Sequence, residues 1–129
     1  MEYSIAVVAT VTALAALTGT AAAHQTTTSN GARVTMHVSP NDAPRAGSPS
    51  TVSVTRVRVP RRARFSFGGC GCRLRVTSSS GAVVANRAMS RRTRVTFPRP
   101  GAYRLVYSGS YRQGGRSKRF AASFAIRAS

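Results

Sequence analysis

From Arg33 onward, apolar side chains recur at every second position in short stretches that clusters of Gly, Pro, Ser and Asn interrupt. A period of two puts alternate residues on opposite faces of an extended chain, so each stretch predicts a strand with one buried face. Val34, Met36 and Val38 form the first inward set, with Thr35 and His37 outward, and Pro40 to Pro49 is a turn-rich break. Val52 and Val54 resume the alternation, but Val57 and Val59 have the opposite parity, so keeping all four inward needs a bulge near Thr55-Arg56. Further inward sets are Ala63, Phe65 and Phe67; Cys72, Leu74 and Val76; Thr93, Val95 and Phe97; Tyr103, Leu105 and Tyr107; and Phe120, Ala122, Phe124 and Ile126. A short strand is expected at Ala82 to Ala85 and a Gly-rich connection from Gly109 to Gly115. Seven to eight short strands with no helical period predict an all-β antiparallel sandwich over residues 33–129.

The amino-terminal segment has a different character. Ile5 to Leu17 is an uncharged apolar run, too short for a bilayer span of about 20 residues. Small residues ending in Ala21-Ala22-Ala23 follow it. Such an apolar region before an Ala-x-Ala site predicts a signal peptide over residues 1–23, cleaved before His24, and hence an exported protein of the periplasm, envelope or medium. Residues 24–32 are polar and Thr-rich and are expected to be a flexible lead-in. No Cys stands directly after the cleavage site and no second long apolar run occurs, so neither a lipid anchor nor a transmembrane anchor is expected in the mature chain.

Charge narrows the function. The 129-residue chain carries 20 Lys+Arg against 2 Asp+Glu, a formal charge of +18. Carboxylate-rich cation cages need more acids than that, and paired-carboxylate hydrolases need two where removal of the leader with Glu2 leaves one. Asp42 is the only acid beyond the leader, and no Ser sits in a nucleophile elbow, so the expectation is a non-enzymatic protein. Gly109 to Ser117 looks like a phosphate loop but has Gly115-Arg116 where Gly-Lys is required, and no helix follows. By strand parity Arg73, Arg75 and Arg104 project outward, and Arg112, Arg116, Lys118 and Arg119 crowd the last hairpin. Guanidinium groups bind phosphate and carboxylate bidentately, so this basic patch predicts an anionic envelope polymer or an acidic partner protein. Aromatics suited to base stacking are confined to Tyr107 and Tyr111, which argues against sequence-specific nucleic-acid recognition.

Two smaller constellations are candidate sites. His24 and His37 are the only histidines, and with a free terminal amine at His24 they offer nitrogen ligands suited to copper(II). Cys70-Gly71-Cys72 leaves three readings open: a local disulfide, a thiol pair for copper(I) or zinc joined by His37, or one structural Cys beside a reactive one.

The stretch Pro100-Gly101-Ala102-Tyr103-Arg104-Leu105 resembles the entry to strand F of immunoglobulin-like sandwiches. There a Tyr hydroxyl hydrogen-bonds back to the preceding turn. The resemblance implies an exported bacterial immunoglobulin-like module with Tyr103 as the corner residue. Leu105 stands where antibody domains place a Cys, and the chain has no Trp. A narrower likeness is to CopC-like periplasmic copper-binding sandwiches, carried by His24 at the expected mature terminus, Val38-Ser39-Pro40 and Ala46-Gly47. It implies copper(II) at His24. The chain departs from that family in having no His after His37 and no acid after Asp42.

Overall fold

The computed structural model describes residues 24–129; the expected leader, residues 1–23, lies outside them. In chain order the strands are β1 (Gln25–Ser29), β2 (Ala32–Val38), β3 (Pro49–Arg58), β4 (Ala63–Arg64), β5 (Arg73–Ser78), β6 (Val83–Ala88), β7 (Arg92–Thr96), β8 (Gly101–Gln113) and β9 (Arg116–Ala128), with no helix among the described residues. The fold is all-β, with two antiparallel sheets compatible with a β-sandwich. One sheet has the order β1-β2-β3-β7. In the other, β8 pairs with β9 along its whole length on one side, and on the other with β5 and, further along, β4; β6 lies outside β5.

The alternation sets the inward faces. Val34, Met36, Val38, Val52, Val54, Leu74, Val76, Val95, Phe97, Leu105, Tyr107 and Phe124 are all buried in one shared core. Each such aliphatic or aromatic side chain contributes roughly 1.5–3 kcal/mol when fully buried. The predicted bulge is present: Met36 pairs with Val54 but Thr35 pairs with Arg56, so Thr55 is the extra residue. It turns Val57 and Val59 toward the core, although both stay half-buried.

Four expectations need correction. There are nine strands rather than seven or eight. Residues 24–32 are not a flexible lead-in, because Gln25–Ser29 form β1 and pair with β2 through a two-residue Asn30-Gly31 turn. Asn30 and Gly31 both have positive φ, 44° and 85°, as a type I′ hairpin turn requires. The connection expected from Gly109 to Gly115 shrinks to Gly114-Gly115, since β8 continues to Gln113. Phe65 and Phe67 alternate as a strand does, yet only Ala63 and Arg64 pair with β8.

The outer edges of the sheets are tied together by side chains. Gln25 Nε2 donates to Ala125 O (2.8 Å), Thr27 Oγ1 to Ser123 O (3.2 Å) and Asn30 Nδ2 to Arg119 O (2.7 Å), while Ala121 N donates to Ser29 Oγ (2.9 Å). Thus β1 satisfies the free backbone edge of β9. On the opposite side Arg87 Nη1 donates to Arg94 O at 3.0 Å, linking β6 to β7.

Candidate functional site: an arginine row along β8

Residues directly opposite each other in an antiparallel pair point to the same face, so register decides which arginines meet. Along the outward positions of β8, Arg127 lies opposite Ala102, Arg104 is on β8 itself, and Arg75 lies opposite Val106. Next, Arg73 lies opposite Ser108, Arg119 opposite Ser110, and Arg64 opposite Arg112. Every outward step from residue 102 to 112 therefore has an arginine on β8 or on the strand paired with it there, β9, β5 or β4, and all of these arginines are exposed. At about 3.4 Å per residue the steps are roughly 7 Å apart and the row is roughly 34 Å long. Between them, apart from Val106, the outward side chains of β8 and β9 are small: Ser108, Ser110, Ala121, Ser123 and Ala125. Arg73 Nη2 makes one long bond to Asn86 Oδ1, 3.4 Å, and Arg112 Nη2 donates to Gly115 O at 2.9 Å.

Of the seven basic residues expected to form a patch, five share this face: Arg73, Arg75, Arg104, Arg112 and Arg119. Arg116 and Lys118 do not. They share the parity of Phe120, and Lys118 pairs with buried Tyr111, so they project from the other face of the hairpin. Arg64 and Arg127 belong to the row and were missed. The parity of Arg127 is visible in the Phe120-to-Ile126 alternation, but Arg64 joins only through pairing between distant strands. A second, shorter row follows β3 on the other sheet, where Arg94, Arg92, Arg56 and the opposed pair Arg33 and Arg58 occupy outward positions broken by the bulge. The basic character is thus on both sheets.

The only described acid does not offset it. The Asp42 side chain is 2% exposed. Its Oδ1 accepts from Val38 N at 2.7 Å, and Asp42 N donates back to Val38 O at 2.6 Å. No acidic side chain among residues 24–129 reaches the surface.

His24 and His37 are brought together. The Asn30-Gly31 hairpin sets them side by side on the outer face, with ring centroids 4.7 Å apart and planes 23° apart. His37 Nδ1 is 3.3 Å from Asp42 Oδ1, and Asp42 Oδ2 is buried without a hydrogen-bond partner. Stacked rings do not converge their in-plane lone pairs, so a shared ion requires His24 to rotate. No group of three or more His, Cys, Asp or Glu capable of holding a metal occurs among the described residues. The two cysteines are joined in a disulfide, S–S 2.04 Å. In this bridged state neither offers a thiolate to copper(I) or zinc.

Tyr103 makes the expected corner: its Oη donates to Arg99 O at 2.6 Å and accepts from Arg99 N at 3.1 Å. Tyr107 lies deeper, donating to Ser90 O at 2.5 Å. Burial raises its hydroxyl above the ordinary tyrosine range.

No helix of the described residues is long and apolar enough to cross a membrane. The class this defines is an all-β protein with two antiparallel sheets and strongly basic outer faces. Comparison with protein-family models, curated proteins and solved structures returns no match to the chain.

Proposed function

We propose that the protein is an exported, non-enzymatic immunoglobulin-like module whose arginine row along β8 holds an anionic polymer of the cell envelope. The strand order supports the immunoglobulin-like assignment: β2-β3-β7 on one sheet and β9-β8-β5-β6 on the other match the A-B-E and G-F-C-C′ arrangement of that architecture. The Tyr103 corner supports it as well. One observation carries the binding reading, namely an exposed arginine on β8 or its paired strand at each outward step of β8, with no surface acid among the described residues to neutralise it. A linear polymer with one phosphate or carboxylate per repeat of roughly 7 Å lies along such a row in register, each charge met by a bidentate donor. The small side chains between the arginines let the polymer backbone approach the sheet.

Binding to a glycerol phosphate polymer tests this. Affinity falls steeply with salt because counterions are released, by roughly 0.7 in the log–log slope per contact. Arg73→Gln/Arg75→Gln/Arg104→Gln lowers the slope by roughly 2. A matched triple on the other sheet, Arg56→Gln/Arg92→Gln/Arg94→Gln, changes it much less. Equal losses from both triples, or an affinity indifferent to salt, would refute the reading.

A second reading, copper(II) binding at the mature amino terminus, is favoured by the 4.7 Å approach of His24 to His37. The amine and imidazole of His24 and the imidazole of His37 are its ligands, with Asp42 Oδ1 3.3 Å from His37 Nδ1. Protein beginning at His24 then competes with a copper chelator and loses at least tenfold in affinity on His37→Gln; no uptake by the parent protein overturns it.

A further inference from the structure

The core is incompletely covered at one end. Past the bulge, Val57 and Val59 face inward but remain half-buried, as do Ala63 and Phe65. The cause is the brevity of β4. After Arg64 the chain leaves the sheet and regains β8 only at Cys70, whose carbonyl accepts Ser110 N at 3.0 Å. The gap between β4 and β5 opens onto Val57 and Val59 of the facing sheet, forming a cleft of about 750 Å³, within the size range of small-molecule sites. Phe65 forms an aromatic wall, its ring centroid 5.1 Å from that of Phe67. Arg64 and Arg112, directly opposed across β4 and β8, also line the cleft, and Ser66, Ser110 and Ser117 add hydroxyls.

An apolar floor beside two arginines opposed across a strand pair, with no surface acid among the described residues to balance them, specifies a ligand of mixed character. We infer that this cleft binds a small amphiphilic anion, its apolar body against Val57, Val59 and Phe65 and its carboxylate or phosphate head between Arg64 and Arg112. Burying the apolar part completes the cover that the short β4 leaves open. The head gains charge-assisted bonds in a partly desolvated setting. A polymer threaded along β8 needs the whole row, whereas this ligand needs only its last step.

The sequence contains no Trp, so Phe65→Trp supplies a single fluorescent reporter inside the cleft. The protein is purified as its host processes it and titrated, below micelle formation, with dodecanoate, dodecyl phosphate and neutral dodecanamide. Saturable emission shifts are expected with at least one anion, and binding of the neutral compound is at least tenfold weaker; the stronger of the two anions identifies the head group. Arg64→Gln/Arg112→Gln in the same background reduces the anion to the affinity of the amide, whereas Arg73→Gln/Arg75→Gln leaves it within twofold. Calorimetry on the unsubstituted protein repeats the ranking without the reporter. Equal affinity for anion and amide, equal losses from the two arginine pairs, or no saturable binding by either method overturns the inference. Failure of the polymer reading instead appears as unchanged polymer affinity in the Arg73, Arg75 and Arg104 triple.

Discussion

Adding a single methyl group at Gly109 tests the packing around the disulfide. Gly109 lies within β8 opposite Phe120. A Cβ built there falls inside van der Waals contact of Cys72 Sγ, with Phe120 Cζ at 3.1 Å and Cys70 O at 3.2 Å. None of these neighbours is free to withdraw. The sulfur is bonded to Cys70, the carbonyl accepts Ser110 N, and the Phe120 ring is 3% exposed within the core. Overpacking of this kind costs about 1–3 kcal/mol. Replacing glycine restricts the unfolded chain and returns about 0.4–1 kcal/mol, so Gly109→Ala has a net cost of about 1–2 kcal/mol. For a domain of this size each kcal/mol moves the midpoint by about 4–8 °C, which predicts a fall in Tm of about 5–15 °C by circular dichroism. The Cys70→Ala/Cys72→Ala background removes the sulfur that the methyl strikes, so a double-mutant cycle recovers a coupling of about 1 kcal/mol. An unchanged or raised Tm for Gly109→Ala, or zero coupling, refutes the close-approach account.

Two further outcomes follow from the geometry. Because burial raises the Tyr107 hydroxyl, the unfolded chain releases that proton at lower pH than the folded one, so stability is lost as pH rises through and above the ordinary tyrosine value of about 10. Absorbance titration at alkaline pH shows one tyrosine ionising together with loss of structure; smooth titration of every tyrosine in folded protein contradicts this. Arg33 and Arg58 are directly opposed across β2 and β3, and Arg58→Glu turns that repulsion into attraction, stabilising by about 0.2–1 kcal/mol at low salt. The gain disappears in 1 M salt, and persistence there counts against a charge origin.

Much of the fold was legible because burial imposes a visible period. The Val52, Val54, Val57, Val59 parity change located the Thr55 bulge, and Tyr103 announced its corner through neighbouring Pro100 and Gly101. Strand β1 escaped notice because its inner side chains, Gln25, Thr27 and Ser29, bond to the backbone edge of β9 instead of entering an apolar core. The Asn30-Gly31 turn was the available cue, and following it places His24 beside His37 without any folding back of a loose segment. Gly109 misled because a glycine needed for close approach looks the same in sequence as one needed for a turn. The β8 row was only partly visible. Parity gave the outward direction of Arg73, Arg75 and Arg104, but the step each occupies depends on pairing with strands far away in sequence, which composition and period do not encode.

The hydrogen bonds from β1 and the Asn30 turn to β9 span 89 to 100 positions of sequence. Of the two partners, β1 is synthesised well before β9. Closure of that side therefore cannot come before β9 has been made. Until it happens β9 offers an open strand edge to any neighbouring chain, so the interval between emergence and closure is when mispairing between molecules competes most strongly, and crowding during synthesis lowers the yield of native protein more than it affects the finished fold.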